Sequence, residues 1–207
     1  QTIRDRDMSI RRFVDTSMVA VSQENVSMKS QLDSSGLTEK IIKIIQQNAA
    51  NGGFSAEGDL SANPLLRGKV ADQLATNRGL REVMYALPTN MPVANYSVSS
   101  DFGIRRHPIT GMTHFHTGLD LLSETGDDKV HPVKPGVVVL AQPHPQYGNM
   151  VVIRHTNGVE SLYGHLANIG VKVGDKVTTE SVLGMIGNTG SSTGKHLHLE
   201  ILIGGYP

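Results

Sequence analysis

The chain changes character near its middle. All nine histidines lie between His107 and His198, and sixteen of the 22 glycines fall in residues 96–207. The change falls at Pro88-Thr89-Asn90-Met91-Pro92, whose two prolines stop any helix that reaches them. The sequence therefore predicts an α+β chain in two parts, a helical region over residues 1–90 and a β domain over residues 96–207.

Between Asp7 and Leu32 the positions Val14, Met18, Val21, Asn25, Met28 and Leu32 alternate steps of four and three. That is the seam of a heptad, with Asn25 at an a-type position where a buried amide fixes register. So short a seam serves packing on this chain's own helices or dimerisation, and both remain open. Ser34-Ser35-Gly36 breaks the pattern. Leu37, Ile41, Ile44, Ile45 and Asn48 mark a second helix that Asn51-Gly52-Gly53 should end. Asn63-Pro64 reads as an N-cap and first-turn pair opening turns through Leu65, Leu66, Val70 and Leu74, with a last short helix from Leu80 to Leu87.

From residue 96 onward, β-branched runs are cut by glycine turns. They are Val137–Leu140, Met150–Ile153, Val159–Tyr163, Ile169–Val173, Val182–Ile186 and His196–Ile203. This spacing predicts antiparallel strands, and Asn157-Gly158 predicts a hairpin turn.

Lysine plus arginine balance aspartate plus glutamate at 19 each, which gives no electrostatic footprint for nucleic acid or a membrane surface. There is no cysteine, hence no disulfide framework and no thiolate zinc finger. No apolar run reaches the length of a membrane span, and no signal-peptide pattern is present. A chain that opens on Gln1 leaves room for a targeting segment or membrane anchor upstream.

The histidines carry the chemistry. His196 and His198 are two residues apart in a predicted strand, so their side chains share a face. One ring can hold a metal while the other handles protons beside it. His116 and Asp120 add a nitrogen and an oxygen, and the N, N, O set suits a catalytic zinc with one open position. Four residues of straight strand cover roughly 13 Å, so the chain must bend between His116 and Asp120, and Gly118 permits that bend.

Four blocks, Phe102-Gly103-Ile104-Arg105-Arg106-His107-Pro108, His116-x-Gly118-x-Asp120, Tyr163-Gly164-His165-Leu166 and Gly190 to Glu200, occur in an order that resembles the lysostaphin-like, or LytM-type, zinc metallopeptidases. The resemblance implies an antiparallel β domain with a groove over the zinc, and hydrolysis of peptide cross-links in bacterial peptidoglycan. It makes His116, Asp120 and His198 the zinc ligands, and His165 and His196 the proton-handling pair, without dividing the roles of that pair. A helical region before the domain resembles envelope members of Gram-negative bacteria, periplasmic or anchored to the inner membrane. By that resemblance the expected bond is the D-Ala to meso-diaminopimelate cross-link, in preference to the lysostaphin-type Gly-Gly bond.

Two other readings follow from the same resemblance. One is a non-catalytic regulator that activates a cell-wall amidase; such members typically lose zinc ligands, and this chain keeps them. The other is a latent enzyme whose N-terminal helices occlude the groove.

The remaining histidines have simpler expectations. His107 fixes a loop, while His114, His131, His144 and His155 are surface or satisfied core imidazoles. Asp127-Asp128 reads as a solvated turn. Tyr147-Gly148-Asn149 resembles a groove-shaping loop of the family, and Gly187–Gly194 reads as a groove wall; it lacks the Gly-Lys-Ser/Thr ending of a phosphate cradle. The chain departs from the family at Glu180-Ser181, where a Gly-Gln is usual. It also has no tyrosine between Arg105 and Phe115.

Overall fold

A computed structural model describes residues 3–35, 37, 39–51, 68–106 and 111–207. The expectations placed on Gly36, Gly52-Gly53, Asn63 to Leu66 and His107 fall outside the described residues. The chain divides into two compact units, Gln1–Leu87 and Pro88–Pro207.

In the first unit α1 (Ile3–Ser34), α2 (Glu39–Asn51) and α3 (Lys69–Ala86) are joined by packing of α3 against both of the others. The seam of α1 serves this packing. Asn25, Met28 and Leu32 are buried, and Val14, Met18 and Val21 half-buried. Asn25 Oδ1 accepts from Asn77 Nδ2 at 2.9 Å, and its Nδ2 donates to the Gln73 carbonyl at 3.2 Å. The polar seam position is thus satisfied by α3, as a buried amide must be.

One expectation fails here. The turns through Val70 and Leu74 and the helix from Leu80 are one continuous element, running through Gly79. That glycine marks a close approach and not a break: a Cβ there would meet Gln46 Nε2 of α2 at 2.8 Å. Among the described residues no helix is long and apolar enough to cross a membrane.

Among the described residues the second unit contains eleven strands: β1 (Tyr96–Ser100), β2 (Gly103–Arg106), β3 (Thr113–His116), β4 (Leu119–Ser123), β5 (Lys129–Val130), β6 (Gly136–His144), β7 (Gly148–Arg154), β8 (Val159–Ile169), β9 (Lys176–Val177), β10 (Gly184–Ile186) and β11 (Leu197–Ile203). Strands β2 and β3 form a hairpin of their own. The others make one antiparallel sheet in the order β1-β4-β11-β8-β7-β6-β9, with β10 against β8 and β5. Asn157 (φ 58°) and Gly158 (φ 72°) turn the β7–β8 hairpin, as expected of an Asn-Gly pair.

Three strand expectations need correction. Of Val182–Ile186, Val182 and Leu183 lie outside β10. Of Ile169–Val173 only Ile169 is in a strand; beyond it the chain turns, with Lys172 N donating to Asp175 Oδ2 at 2.8 Å. His196 stands just outside β11, held by a bridge to Gly187.

Alternation along β4 and β11 sets the faces. Leu121, Leu197 and Leu199 join Tyr163, Leu166 and Ile153 in the core, and burying each such side chain stabilises the unit by about 1.5–3 kcal/mol. With the leucines on that face, the alternate residues Asp120, His198 and Glu200 project from the other.

Candidate metal centre

Strand register brings the expected ligands together. His198 on β11 lies directly opposite Asp120 on β4, so their side chains are cross-strand neighbours on one face. His116 ends β3, and the chain leaves that hairpin for the main sheet through Thr117 and Gly118. Gly118 serves this path by having no side chain: a Cβ would meet the Leu199 carbonyl and lie 2.7 Å from His198 Cε1.

The donor atoms converge. His116 Nε2 is 3.1 Å from Asp120 Oδ1 and 3.1 Å from His198 Nδ1, and His198 Nδ1 is 2.8 Å from Asp120 Oδ1. All three residues are buried. The edge of a tetrahedron with bonds of 2.0–2.1 Å is about 3.3 Å, close to this spacing.

The outer contacts fix which nitrogen faces inward. A carbonyl accepts only, so His116 Nδ1–H donates to the Asp101 carbonyl at 2.8 Å and leaves Nε2 bare. His198 Nε2–H donates to Glu200 Oε1 at 2.9 Å, leaving Nδ1 to face the site. Asp120 Oδ2 accepts from Arg105 Nη2 at 3.2 Å, leaving Oδ1. Three electron-pair donors thus meet within 3.1 Å, an arrangement that a shared cation satisfies. The donor set fits a zinc-like ion with two imidazoles and one carboxylate. A proton satisfies it too. Burial opposes protonation of His198, but Asp120 and Glu200 raise its pKa above the ordinary value, so protons and metal compete for the same place.

His165 and His196 flank this cluster, with ring centroids 4.8 Å apart. His165 Nδ1–H donates to the Thr189 carbonyl at 2.8 Å, and His196 Nδ1–H to the Gly194 carbonyl at 2.8 Å. Each ring therefore presents a bare Nε2; that of His196 is 3.7 Å from Asp120 Oδ1. Burial lowers the His165 pKa, against the opposing Thr189 carbonyl.

The His165 backbone is left-handed at φ 60°, a conformation uncommon outside glycine and concentrated at functional sites. It lies where the β7–β8 register shifts between Asn149 and Val151. Such a bulge re-aims a side chain. His165 N–H, donating to the Tyr147 carbonyl at 2.6 Å, holds it.

These residues line a groove of about 490 Å³, whose walls include Ser99, Arg105, His114, Gln146, Ser191 and Thr193. The Gly187–Gly194 segment thus supplies a wall, through Ser191 to Thr193. His114, expected as surface or satisfied core, is exposed at this groove.

His131, His144 and His155 are bonded within the fold, to the Ser181 carbonyl, the Gln146 and Tyr147 amides, and the Pro135 carbonyl respectively. Asp128 is not a simple solvated turn: its carboxylate pairs with Lys195. Sequence reasoning gave no role of their own to Arg105, Thr117 and Glu200, and read Tyr147 only as part of a groove-shaping loop. Glu200 left a further signal, as the next same-face position after His196 and His198.

The fold and the donor cluster define an antiparallel β domain with a candidate metal site. Residues 114–207, most of the second unit, match the profile of Peptidase family M23. The DD-carboxypeptidase/endopeptidase Mpg of Neisseria meningitidis serogroup B is 42% identical over 116 residues, 56% of this chain and 26% of that protein. The peptidoglycan DD-endopeptidase ShyA of Vibrio cholerae is 42% identical over 115 residues, 55% of this chain and 26% of that protein. This chain thus spans about a quarter of the length of these curated relatives. A crystal structure of a zinc containing peptidase from Vibrio cholerae matches with a TM-score of 0.51 and 34% identity, covering 59% of this chain and 39% of that one.

Proposed function

We propose that this chain is a zinc-dependent endopeptidase that hydrolyses peptide cross-links of bacterial peptidoglycan, with D-Ala to meso-diaminopimelate as the bond. The observation that carries the reading is the meeting of His116 Nε2, Asp120 Oδ1 and His198 Nδ1 within 3.1 Å, each with its other polar atom engaged elsewhere. The DD-endopeptidase names of the relatives support a peptidoglycan peptide as substrate, and such a substrate is in keeping with a location in the periplasm or cell envelope.

His116, Asp120 and His198 would hold the ion. A zinc ion held there would supply Lewis-acid polarisation of the scissile carbonyl and a lowered pKa for the attacking water. The chain's own residues do the rest. The groove seats the peptide across the cluster, and the Ser191–Thr193 wall offers hydroxyl and amide partners to its backbone. His165 and His196, each with Nδ1–H bound to a carbonyl, present Nε2 to the reacting groups. One accepts the water's proton; the other, once protonated, donates to the oxyanion or the departing amine.

Zinc quantification beside digestion of purified cross-linked muropeptides, comparing the full chain with His198→Ala, tests the proposal. Stoichiometric zinc and turnover in the first, and neither in the second, are expected. A parent chain without stoichiometric zinc overturns it.

A further inference from the structure

Glu200 is buried, and its Oε1 collects three donors: His198 Nε2–H at 2.9 Å, Tyr147 Oη–H at 2.8 Å and Thr117 Oγ1–H at 2.5 Å. A carboxylate so enclosed is costly to bury unless each contact serves it. The three donors come from three separate parts of the site. Thr117 belongs to the link between the ligands His116 and Asp120. His198 is the third ligand. Tyr147 belongs to the turn before β7, whose carbonyl accepts from His165 N–H, and its ring lies against that of His198 with centroids 5.5 Å apart.

We infer that Glu200 is the positioning residue of the metal centre, fixing the Nδ1-facing tautomer and aim of His198, and that Thr117 and Tyr147 hold Glu200 in place for it. This rests on the metallopeptidase reading and deepens it. A neutral imidazole has two tautomers. With the proton on Nδ1, His198 would turn a lone pair on Nε2 toward the Glu200 carboxylate and an N–H toward the metal position. With the proton on Nε2, both contacts become favourable, and the carboxylate raises the basicity of the ligating nitrogen. Because the same oxygen binds Thr117, a shift of His198 carries with it the segment that sets His116 against Asp120. Glu200 touches none of the reacting atoms; it acts through His198.

The test uses the full chain as the parent protein and as Glu200→Gln, Thr117→Val and Tyr147→Phe. Zinc affinity is read by competition with a chelator, and the His198 ring tautomer by nitrogen-15 NMR. Glu200→Gln is expected to weaken zinc binding about 10–100-fold, with loss of the fixed Nε2–H signature of His198. Its kcat should fall more than KM rises. Thr117→Val and Tyr147→Phe should each weaken zinc binding several-fold.

Zinc affinity within twofold of the parent in Glu200→Gln, with His198 still in the Nε2–H form, overturns the inference. Should Glu200→Gln not fold, parent-like zinc affinity in both single-donor variants overturns it. These results are separate from failure of the peptidase reading, in which the parent chain itself holds no zinc and leaves muropeptides uncut.

Discussion

His196 and His198 present opposite nitrogens to one oxygen. His198 reaches Asp120 Oδ1 through Nδ1 at 2.8 Å, whereas His196 stands with Nε2 at 3.7 Å, its Nδ1 bound to the Gly194 carbonyl. Two imidazoles separated by one leucine are thereby divided between holding an ion and standing beside it. His198→Ala should lose both bound zinc and muropeptide turnover. His196→Ala should keep near-stoichiometric zinc and lose about 10²–10⁴-fold in kcat. Metal analysis and digestion of the same preparations separate the two. Equal zinc loss in both variants would contradict the division.

Gly118→Ala addresses the path between ligands. The added Cβ meets the Leu199 carbonyl and approaches the His198 ring to 2.7 Å, so backbone and ligand must both shift. A stability loss of about 1–3 kcal/mol is expected from such overpacking, with a larger proportional loss of zinc affinity. Denaturant unfolding and chelator competition measure the two. A variant with parent-like zinc affinity would show that the contact is relieved without disturbing His198.

A buried polar chain beneath the sheet gives the acid response. His155 Nδ1–H donates to the Pro135 carbonyl at 2.9 Å, its Nε2 is 2.7 Å from Ser161 Oγ, and the Ser161 and Tyr163 hydroxyls are 2.9 Å apart. Val133 N–H donates to Tyr163 Oη at 2.8 Å. Burial lowers the His155 pKa below 6.5, with Lys134 adding to the effect and the Pro135 carbonyl and Glu160 opposing it. Burial also raises the Tyr163 pKa to about 12.

Above pH 6.5 the folded and unfolded chains both hold His155 neutral, and it contributes no pH dependence. Below pH 6.5 the unfolded chain takes up a proton that the folded one resists. Stability therefore falls as pH drops toward the folded-state pKa and levels off beneath it. The difference in unfolding free energy between parent and His155→Gln, measured from pH 7 to pH 4, should narrow or reverse on acidification. A constant difference would refute this.

In the helical unit, Asn25→Ala removes the acceptor of Asn77 and the donor to the Gln73 carbonyl. The groups left behind make a loss of about 1–3 kcal/mol the expected outcome, read from the helical signal during thermal unfolding. No change would show that water replaces both contacts.

The parts legible in the sequence are those with local periodicity or local chemistry. The heptad seam of α1 and the Asn157-Gly158 turn need no knowledge of distant partners. Neither does the alternation of leucine with histidine on β11. The continuity of α3 through Gly79 was not legible, because a glycine that breaks a helix and one that admits a neighbouring helix read alike. The contacts of Arg105, Thr117 and Tyr147 with the cluster could not be read because they depend on which strands become neighbours, and register is a tertiary property. His155 was expected to be a surface or satisfied core imidazole, and its link through Ser161 to Tyr163 arises only when β7 and β8 pair.

The opposition of His198 and Asp120 across β11 and β4 also bears on how the chain reaches its folded state. A slip of one residue between these strands would turn Leu119 or Leu121 toward the cluster and carry Asp120 into the core. No chelate would form. The three donors therefore converge only in the correct register, and a cation held by them would stabilise correctly paired chains alone.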